Sequence, residues 1–288
     1  MTNYLLALVA RFQDDHPDAK LYPVTSPFLP EAQWADANDQ PGVYQAQCAS
    51  YVASALFASL AGRPDISTAV RRLTTRVTRW TVPDDAALVR LMAYLKTEAS
   101  LELVGTLSPD DVTGLQLELS TDADWDGDAC TSRSVSGMHL ELVNPKSGNV
   151  FPLAWRSSGQ SATSCSTAES EVVALSHGLR HFGLPVQDLV HEFLGERIQL
   201  VCLVDHQQAI TAVKRGYSKR LRCLNRTHRV AIGSLHEIVG DERQRVEIRY
   251  IESKLQKGNI YTKALVPAQF SAERLLIGMQ RPSNHSNN

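Results

Sequence analysis

The spacing of apolar residues divides the chain into a helical first half and a second half that begins with strands. The stretch "QCASYVASALFASLAG" from Gln47 has apolar residues at helical spacing and ends at Gly62, a residue favoured at helix ends. A second helix is expected from Asp65, and "PDDAALVRLMAYLKTE" predicts a third from Pro83. Residues 1–44 show no clear period and are expected to form an irregular or partly disordered lead segment.

After about Leu107 the pattern changes to one typical of strands, and "LQLELS" alternates with a period of two. Three β-rich segments separated by turn residues, at 115–121, 134–144 and 149–156, predict three successive antiparallel strands. A long helix should follow from Thr167, and "RIQLVCLVD", apolar on both faces, predicts a central strand. The remaining elements are expected as helices near 206–215 and 227–240, a strand at 245–252 and a helix near 268–279. This order predicts an α/β (α+β mixed) fold in which helices flank a mixed sheet of five strands.

The totals limit the class of protein. At 288 residues, 43% hydrophobic and a net charge of −2, the chain can bury one large core or two modest ones. Five cysteines without a CxxC pair favour reduced, packing thiols inside a cell. The run "YLLALVA" lacks a preceding basic region and is far shorter than the roughly 20 residues of a membrane span. We therefore expect no signal peptide, no membrane partner and an intracellular location, in the cytoplasm or the nucleus.

The stretch "TDADWDGD", residues 121–128, places four carboxylates at the end of the first predicted strand. Asp122, Asp124 and Asp126 followed by Gly127 match the opening of an EF-hand calcium loop. The twelfth position of that loop is Arg133, which cannot ligate a metal, and the flanking residues predict a strand where an EF-hand needs a helix. A calcium loop is therefore excluded.

Three acids are the candidates for a shared site. Asp122 and Asp205 each end a predicted strand, and parallel neighbours would bring both side chains to one edge of the sheet. Glu171 lies on the apolar stripe of its predicted helix and should point inward, which is costly unless it is protonated, paired or bound to a cation. Glu169 should project to the opposite side, toward solvent, where it forms a capping box with Ser166.

Carboxylate oxygens favour Mg²⁺ or Mn²⁺, and two such ions can clamp the attacking and leaving oxygens of a phosphodiester. The spacing alone also permits ordinary roles for these acids, as a strand-end turn, a helix start and a cap for the next helix.

The second half of the chain resembles the ribonuclease H domain of a copia-type LTR retrotransposon Pol polyprotein. The matching blocks occur in family order: "DADWDGDACTSRSVSG" (122–137), "LAWRSSGQ" (153–160), "STAESEVVAL" (166–175), "DHQQAI" (205–210), "RTHR" (226–229) and "NIYTKAL" (259–265). In the helical half, "ASLAGRPDISTAV" (58–70) and "ALVRLMAYLK" (87–96) resemble the reverse transcriptase segment that precedes that domain. The resemblance spans about residues 45–275.

The resemblance implies a domain organisation: an irregular lead segment at 1–44, a helical segment similar to the reverse transcriptase thumb or connection at 45–110, a ribonuclease H-like domain at 111–280 and a disordered tail at 281–288. It also implies that Asp122, Glu171 and Asp205 are the first three metal-binding carboxylates. Asp124 shares a strand face with Asp122 and is a reserve candidate for the first position.

This sequence departs from the family pattern at four positions. Asn259 stands where the family has its fourth acid, and an amide carries no charge and ligates only weakly through its oxygen. His206 replaces the usual Asn, and Arg229 and Ala231 replace the usual His and Asp. These departures are typical of a decayed or repurposed copy, whereas the three retained carboxylates favour activity.

Two short motifs suggest other functions. "FQDD", Phe12 to Asp15, resembles a polymerase signature, but "HPDAK" follows it instead of an apolar strand, and too few residues precede it for a polymerase palm. His177 and His181 have a spacing that can bind zinc, but Gly178 stands where a zinc protease motif has Glu. We interpret the two histidines as part of a solvated helix face.

The segment 214–229, "KRGYSKRLRCLNRTHR", holds seven Lys or Arg and no acid, and is called the basic segment below. Such a local charge suits a nucleic-acid backbone, although a solvated loop is the alternative. The candidate nucleic-acid-binding residues are Lys214, Arg215, Lys219, Arg220, Arg222 and Arg226. An RNA–DNA hybrid would be bound by its shape and its 2′-hydroxyls, without sequence preference.

The resulting hypothesis is a Mg²⁺- or Mn²⁺-dependent ribonuclease H that cleaves the RNA strand of RNA–DNA hybrids, with the remainder of a reverse transcriptase as a further partner. Asp122, Glu171 and Asp205 would hold two ions and Asn259 would be a weak additional ligand. One alternative is a catalytically inactive nucleic-acid-binding module, which would bind hybrid without cutting it. The other is a protein interaction domain, which would bind a protein subunit and no hybrid.

Overall fold

The computed structural model describes residues 1–29, 40–128 and 131–282. The chain forms two compact units, one of Met1–Leu103 with Ala264–Asn288 and the other of Val104–Lys263. This division differs from the predicted boundaries, because residues after 263 group with the helical unit instead of the sheet-containing one. The predicted tail at 281–288 lies outside the described residues from 283 onward.

The first unit is helical, as the apolar spacing predicts. Its helices are α1 (Thr2–Asp15), α2 (Cys48–Ala61), α3 (Ser67–Thr74), α4 (Val82–Thr97) and α10 (Pro267–Leu276), and the short strands β1 (Glu102–Leu103) and β7 (Met279–Gln280) pair antiparallel. Thr81 and Asp84 form a capping box at the start of α4, which fixes where that helix begins.

Helix α1 corrects the expectation of an irregular lead segment at 1–44. Its buried residues are Leu5, Leu8, Val9 and Phe12, which follow the helical spacing of three and four residues. The neighbouring apolar residues Leu6, Ala7 and Ala10 and the Pro-rich continuation obscure that short stripe in the sequence. Of the rest of the lead segment, residues 30–39 lie outside the described part of the chain.

The second unit confirms the predicted five-stranded mixed sheet flanked by helices. The strands are β2 (Gln116–Asp128), β3 (Arg133–Val143), β4 (Val150–Gly159), β5 (Gln199–Val204) and β6 (Val246–Tyr250), in the spatial order β4-β3-β2-β5-β6. Strands β2, β3 and β4 are antiparallel neighbours, whereas β5 runs parallel to both β2 and β6. Strand β5, which lies between β2 and β6, is apolar on both faces, as expected of a strand covered on both sides.

The helices of the second unit are α5 (Thr167–Gly178), α6 (Leu184–Leu194), α7 (Gln207–Arg215), α8 (Leu224–Thr227) and α9 (Ile232–Gly240). A π-helical turn, Leu179–Gly183, joins α5 to α6. The helix predicted at 227–240 is interrupted because Arg229 adopts a positive φ of 57°, which a right-handed helix does not allow.

The core of the second unit lies between α5 and the centre of the sheet. Leu117 and Leu119 of β2, Val172 and Leu175 of α5 and Leu200 of β5 are fully or almost fully buried in one cluster. This packing places Glu171, which precedes Val172, close to the sheet. Among the described residues, no helix has both the length and the apolar character that crossing a bilayer would require.

Candidate active site

The register of the sheet brings Asp122 next to Asp205. Strands β2 and β5 pair in parallel, with Ser120 opposite Leu203. Asp122 and Asp205 each follow two residues after this pair, so they lie side by side. Strand β2 continues past the predicted end at residue 121 because it keeps pairing with β3, whereas its parallel pairing with β5 stops at Ser120. Asp122 therefore lies where the parallel ladder ends, the position expected for a site in an α/β sheet.

Helix α5 adds Glu171 to this pair. The backbone N–H of Ala123 donates a hydrogen bond of 3.3 Å to Glu171 Oε1, which fixes the carboxylate beside β2. Asp122, Glu171 and Asp205 each offer a carboxylate oxygen, and these oxygens lie within 4.8 Å of one another. We call these three residues the acidic cluster. The structure thus brings together the three acids that the sequence nominates, whereas Asp124 is not among the three.

Hydroxyl groups orient two of the three carboxylates. Thr262 Oγ1 donates to Asp122 Oδ2 at 2.5 Å, and Ser253 Oγ donates to Asp205 Oδ2 at 2.5 Å. Hydrogen bonds of this kind fix the direction of metal-binding carboxylates in known sites. Sequence reasoning missed both hydroxyls, which are 140 and 48 residues away from the acids they contact.

Burial dominates the electrostatics of the acidic cluster. Asp122 is 2% exposed and Glu171 3% exposed. Burial, with the nearby charges of Asp122 and Asp205, raises the pKa of Glu171 well above its ordinary value. Burial also raises the pKa of Asp122, against the opposing effects of Lys263 and the Thr262 hydrogen bond. The cluster is therefore destabilised when all three carboxylates are ionised, and any cation that enters it lowers the free energy of the ionised form.

One carboxylate oxygen of Glu171 is available to a ligand. Its Oε2 atom is buried and has no hydrogen-bond partner among the residues that the structure describes. A buried carboxylate oxygen without a partner costs free energy, and a metal ion would remove that cost. The all-oxygen donor set and this orphaned atom both fit a hard dication such as Mg²⁺ or Mn²⁺.

Lys263 lies at the edge of the acidic cluster and carries the opposite charge. Its Nζ is 3.5 Å from Asp122 Oδ2, and its side chain is 43% exposed. Burial lowers the pKa of Lys263, but Asp122, Asp124, Glu171 and Asp205 together outweigh this and leave the pKa raised. The ammonium therefore partly neutralises the cluster. Sequence reasoning did not single out this residue.

The segment 256–263 that carries Thr262 and Lys263 is fixed to the sheet by Gln256. The fully buried side chain of Gln256 donates to the carbonyl oxygens of Thr121 at 3.0 Å and Leu203 at 3.1 Å. Its own Oε1 accepts from the Gly258 N–H at 3.0 Å. Gln256 therefore ties β2 to the end of β5 beside Asp122 and Asp205.

Gly258 allows the same segment to approach Asp122 closely. A Cβ at this position would lie 2.8 Å from both the backbone nitrogen and the Cβ of Asp122, which real side chains do not tolerate. Nearby, Tyr261 shares a 2.9 Å hydrogen bond with buried His139, and Lys257 forms an ion pair with Glu141. These contacts hold the segment against β3 as well as β2.

Asn259, the predicted weak fourth ligand, is buried in this segment. Its Nδ2 donates to the Ser253 carbonyl oxygen at 2.8 Å, and the Ser253 hydroxyl is the group that binds Asp205. Because this hydrogen bond holds Nδ2, Oδ1 is the atom of the Asn259 side chain that could ligate a metal ion. A role for Asn259 as a ligand stays a prediction.

Glu169 does not face solvent, which corrects the interpretation of the helix start. The Ser166 hydroxyl accepts from the Glu169 N–H at 3.3 Å, as the cap requires, but Glu169 is only 3% exposed. Its carboxylate accepts from the Cys165 N–H at 2.9 Å and from the Thr227 hydroxyl at 3.2 Å. The end of α8 covers this side of α5, which the sequence pattern alone does not reveal.

The candidate nucleic-acid-binding residues of the basic segment are all exposed. Lys214 and Arg215 end α7, Lys219, Arg220 and Arg222 follow it, and Arg226 lies in α8. Helix α7 begins at Gln207, two residues after Asp205, so the chain connects the basic segment directly to the acidic cluster. Binding of nucleic acid by these residues stays a prediction.

Comparison with known proteins gives low similarities. The sequence matches no protein-family model and no curated protein sequence. Among solved structures, the N-terminal RNase H domain of rv2228c from Mycobacterium tuberculosis, solved as a fusion with maltose binding protein, is 12% identical over 56% of this chain and 97% of that chain, with a TM-score of 0.32. The protease-reverse transcriptase of prototype foamy virus is 10% identical over 57% of this chain and 20% of that chain, with a TM-score of 0.29. Similarities this low do not assign an activity to this chain.

Proposed function

We propose that this chain is a ribonuclease H-type endonuclease of a copia-type retroelement, which hydrolyses the RNA strand of RNA–DNA hybrids with Mg²⁺ or Mn²⁺. The acidic cluster is the observation that carries this proposal. Three acids from a strand, a helix and the end of a second strand converge within 4.8 Å, although burial makes their mutual approach costly. Such an arrangement is tolerable when dications occupy it, and it serves no evident purpose in packing.

The three residues of the cluster would have different roles in holding the ions. Asp122 and Asp205 are oriented by Thr262 and Ser253, and Glu171 keeps Oε2 available to a ligand. Bound dications would supply hydroxide for attack on the phosphodiester and stabilise the leaving 3′ oxygen. The carboxylates would hold the ions, and Gln256 would keep β2 and the end of β5 at a constant separation beside the acidic cluster.

The basic segment is the proposed contact for the hybrid. Its exposed cations can contact phosphates on either strand, which gives binding without sequence preference. Recognition of the hybrid itself would use the shallow groove and its 2′-hydroxyls. The remainder of a reverse transcriptase stays a predicted partner.

A cleavage assay on a labelled RNA–DNA hybrid tests the proposal. The wild-type protein should cut the RNA strand with Mg²⁺ or Mn²⁺ and not with EDTA. Asp205→Asn should reduce cleavage to the background rate, because it removes a charged ligand and keeps the side-chain shape. Asp110→Asn, at an exposed position outside the acidic cluster, is the matched control and should cleave as the wild type does.

A second candidate function is a catalytically inactive nucleic-acid-binding module. Two observations favour it: Asn259 stands at the position of a fourth acid, and the Lys263 ammonium lies 3.5 Å from Asp122. Both reduce the negative charge that attracts dications. If the wild type binds the hybrid but cuts it no faster than Asp205→Asn does, this second function is correct and the nuclease proposal is wrong.

A further inference from the structure

A cavity of about 650 Å³ opens beside the basic segment in the second unit. It is lined by residues from the turn before α5 and the start of α5, from α7 and from the loop that follows α7. Cavities that bind small ligands have volumes of about 300–1,000 Å³, so this one can accept a molecule as large as a nucleotide. The site is separate from the acidic cluster, whose three residues do not line it.

The positive charge of the cavity lining favours the binding of anions. Arg215, Lys219 and Arg220 line it, and the described residues of the lining include no Asp or Glu. All three cations are exposed, and none has an ion-pair partner within the described part of the chain. Guanidinium and ammonium groups without a carboxylate partner are the side chains that proteins use to bind phosphate.

The other lining residues can accommodate a flat apolar group. Ala168, Ala212 and Leu221 are buried apolar residues of the lining and are called the apolar floor below, while Tyr217 is 65% exposed. A Tyr ring exposed this far has a free face on which a nucleobase can stack. Gln208 and Thr211 also line the cavity and offer polar atoms for the edge of a base.

We propose that this cavity binds one nucleoside phosphate, with the base between the Tyr217 ring and the apolar floor and the phosphate on Arg215, Lys219 and Arg220. A base inside a duplex is stacked and paired, so only a free nucleotide or an unpaired nucleotide at the end of a strand can enter. In the second case the inference rests on the proposed nucleic-acid function, and the cavity would favour hybrids that end in an overhang.

Two cysteines make a direct test on the unmodified protein possible. Cys165 is exposed and lines the cavity, whereas Cys223 is exposed in the basic segment but outside the lining. Bound AMP should slow alkylation of Cys165 by N-ethylmaleimide and leave the rate at Cys223 unchanged, as measured by mass spectrometry of peptides. Inorganic phosphate and adenosine should each protect Cys165 less than AMP does. Equal alkylation of Cys165 with and without AMP overturns the proposal.

Substitutions separate stacking from charge. Tyr217→Ala should weaken AMP binding about tenfold, because stacking of one base on an aromatic ring is lost. Tyr250→Ala removes a similarly exposed ring outside the cavity and should leave AMP binding unchanged. Arg220→Gln should also weaken binding, whereas Arg222→Gln, which removes an equal charge from the same segment outside the lining, should not. Equal effects of Arg220→Gln and Arg222→Gln would indicate non-specific attraction and contradict the proposal.

A comparison of two labelled hybrids identifies the source of the nucleotide. Fluorescence anisotropy in EDTA, where no cleavage occurs, compares a blunt hybrid with one that carries a single unpaired adenosine at one end. Tighter binding of the overhang that is lost in Tyr217→Ala assigns the cavity to strand ends. Protection by AMP without a preference for the overhang assigns it to free nucleotides. Because neither readout depends on hydrolysis, failure of the nuclease proposal leaves both results interpretable.

Discussion

Glu171 should make the stability of the metal-free protein depend on pH. Its folded-state pKa is raised well above the ordinary glutamate value by burial and by Asp122 and Asp205. Between the two pKa values the folded state binds more protons than the unfolded state, so the free energy of unfolding falls as pH rises. We expect this fall above about pH 5 in urea denaturation without metal.

The neutral variant Glu171→Gln should flatten that pH dependence, because its side chain has no proton to lose. Asp122, whose pKa is also raised, accounts for the slope that should remain. Glu192→Gln, at an exposed position of α6, should keep the wild-type slope. An unchanged slope in Glu171→Gln would mean that Glu171 is already ionised without metal, against the burial argument.

Lys263 should set the strength of cation binding at the acidic cluster. Its ammonium lies 3.5 Å from Asp122 and repels any dication that enters. We expect Lys263→Met to bind Mn²⁺ about tenfold more tightly in isothermal titration calorimetry, a modest factor because the side chain is partly exposed to solvent. Lys254→Met, whose ammonium pairs with Glu252, is the control and should bind Mn²⁺ as the wild type does. Weaker binding by Lys263→Met would instead assign Lys263 the role of holding Asp122 in place.

The elements that local pattern determines are the ones that the sequence predicts well. The β-rich segments that form β3 and β4, the doubly apolar β5 and the cap of α5 each depend on residues close in the chain, and all are present. The acidic cluster is also predicted, because strand ends and one helix face define where its three acids lie. Contacts between distant segments are not predicted, since no local pattern reports them: Gln256 binds a carbonyl 135 residues away, and Thr227 covers Glu169 across 58 residues.

Gln256 provides a test of how much the segment 256–263 contributes to the sheet. Gln256→Leu keeps the volume but leaves the carbonyls of Thr121 and Leu203 without their donor in a buried place. We expect the free energy of unfolding to fall by about 3 kcal/mol in urea denaturation and Mn²⁺ affinity to fall with it.

The control for this substitution is Gln208→Leu, at an exposed position of α7, which should change the free energy of unfolding by less than about 0.5 kcal/mol. If Gln256→Leu is as stable as Gln208→Leu, the side chain of Gln256 does not hold β2 and β5 together.

The whole molecule combines a near-zero net charge with two opposite local charges. The total of −2 gives no general attraction to nucleic acid, so any binding must come from a local patch such as the basic segment. The acidic cluster repels phosphates until dications occupy it, whereas the basic segment attracts them at all times. Hybrid binding should therefore persist in EDTA and cleavage should not.

Salt dependence measures how many of these cations contact phosphate. Each neutralised phosphate contributes a slope of about −0.7 to −0.9 to the logarithm of the association constant against the logarithm of salt concentration. In fluorescence anisotropy with labelled hybrid in EDTA, Arg222→Gln combined with Arg226→Gln should reduce the magnitude of the slope by about 1.4–1.8, because two contacts are lost. Lys146→Gln combined with Arg243→Gln removes the same charge from exposed positions outside the basic segment and should leave the slope unchanged. Equal slopes for the two double variants would mean that overall charge, and not the basic segment, determines binding.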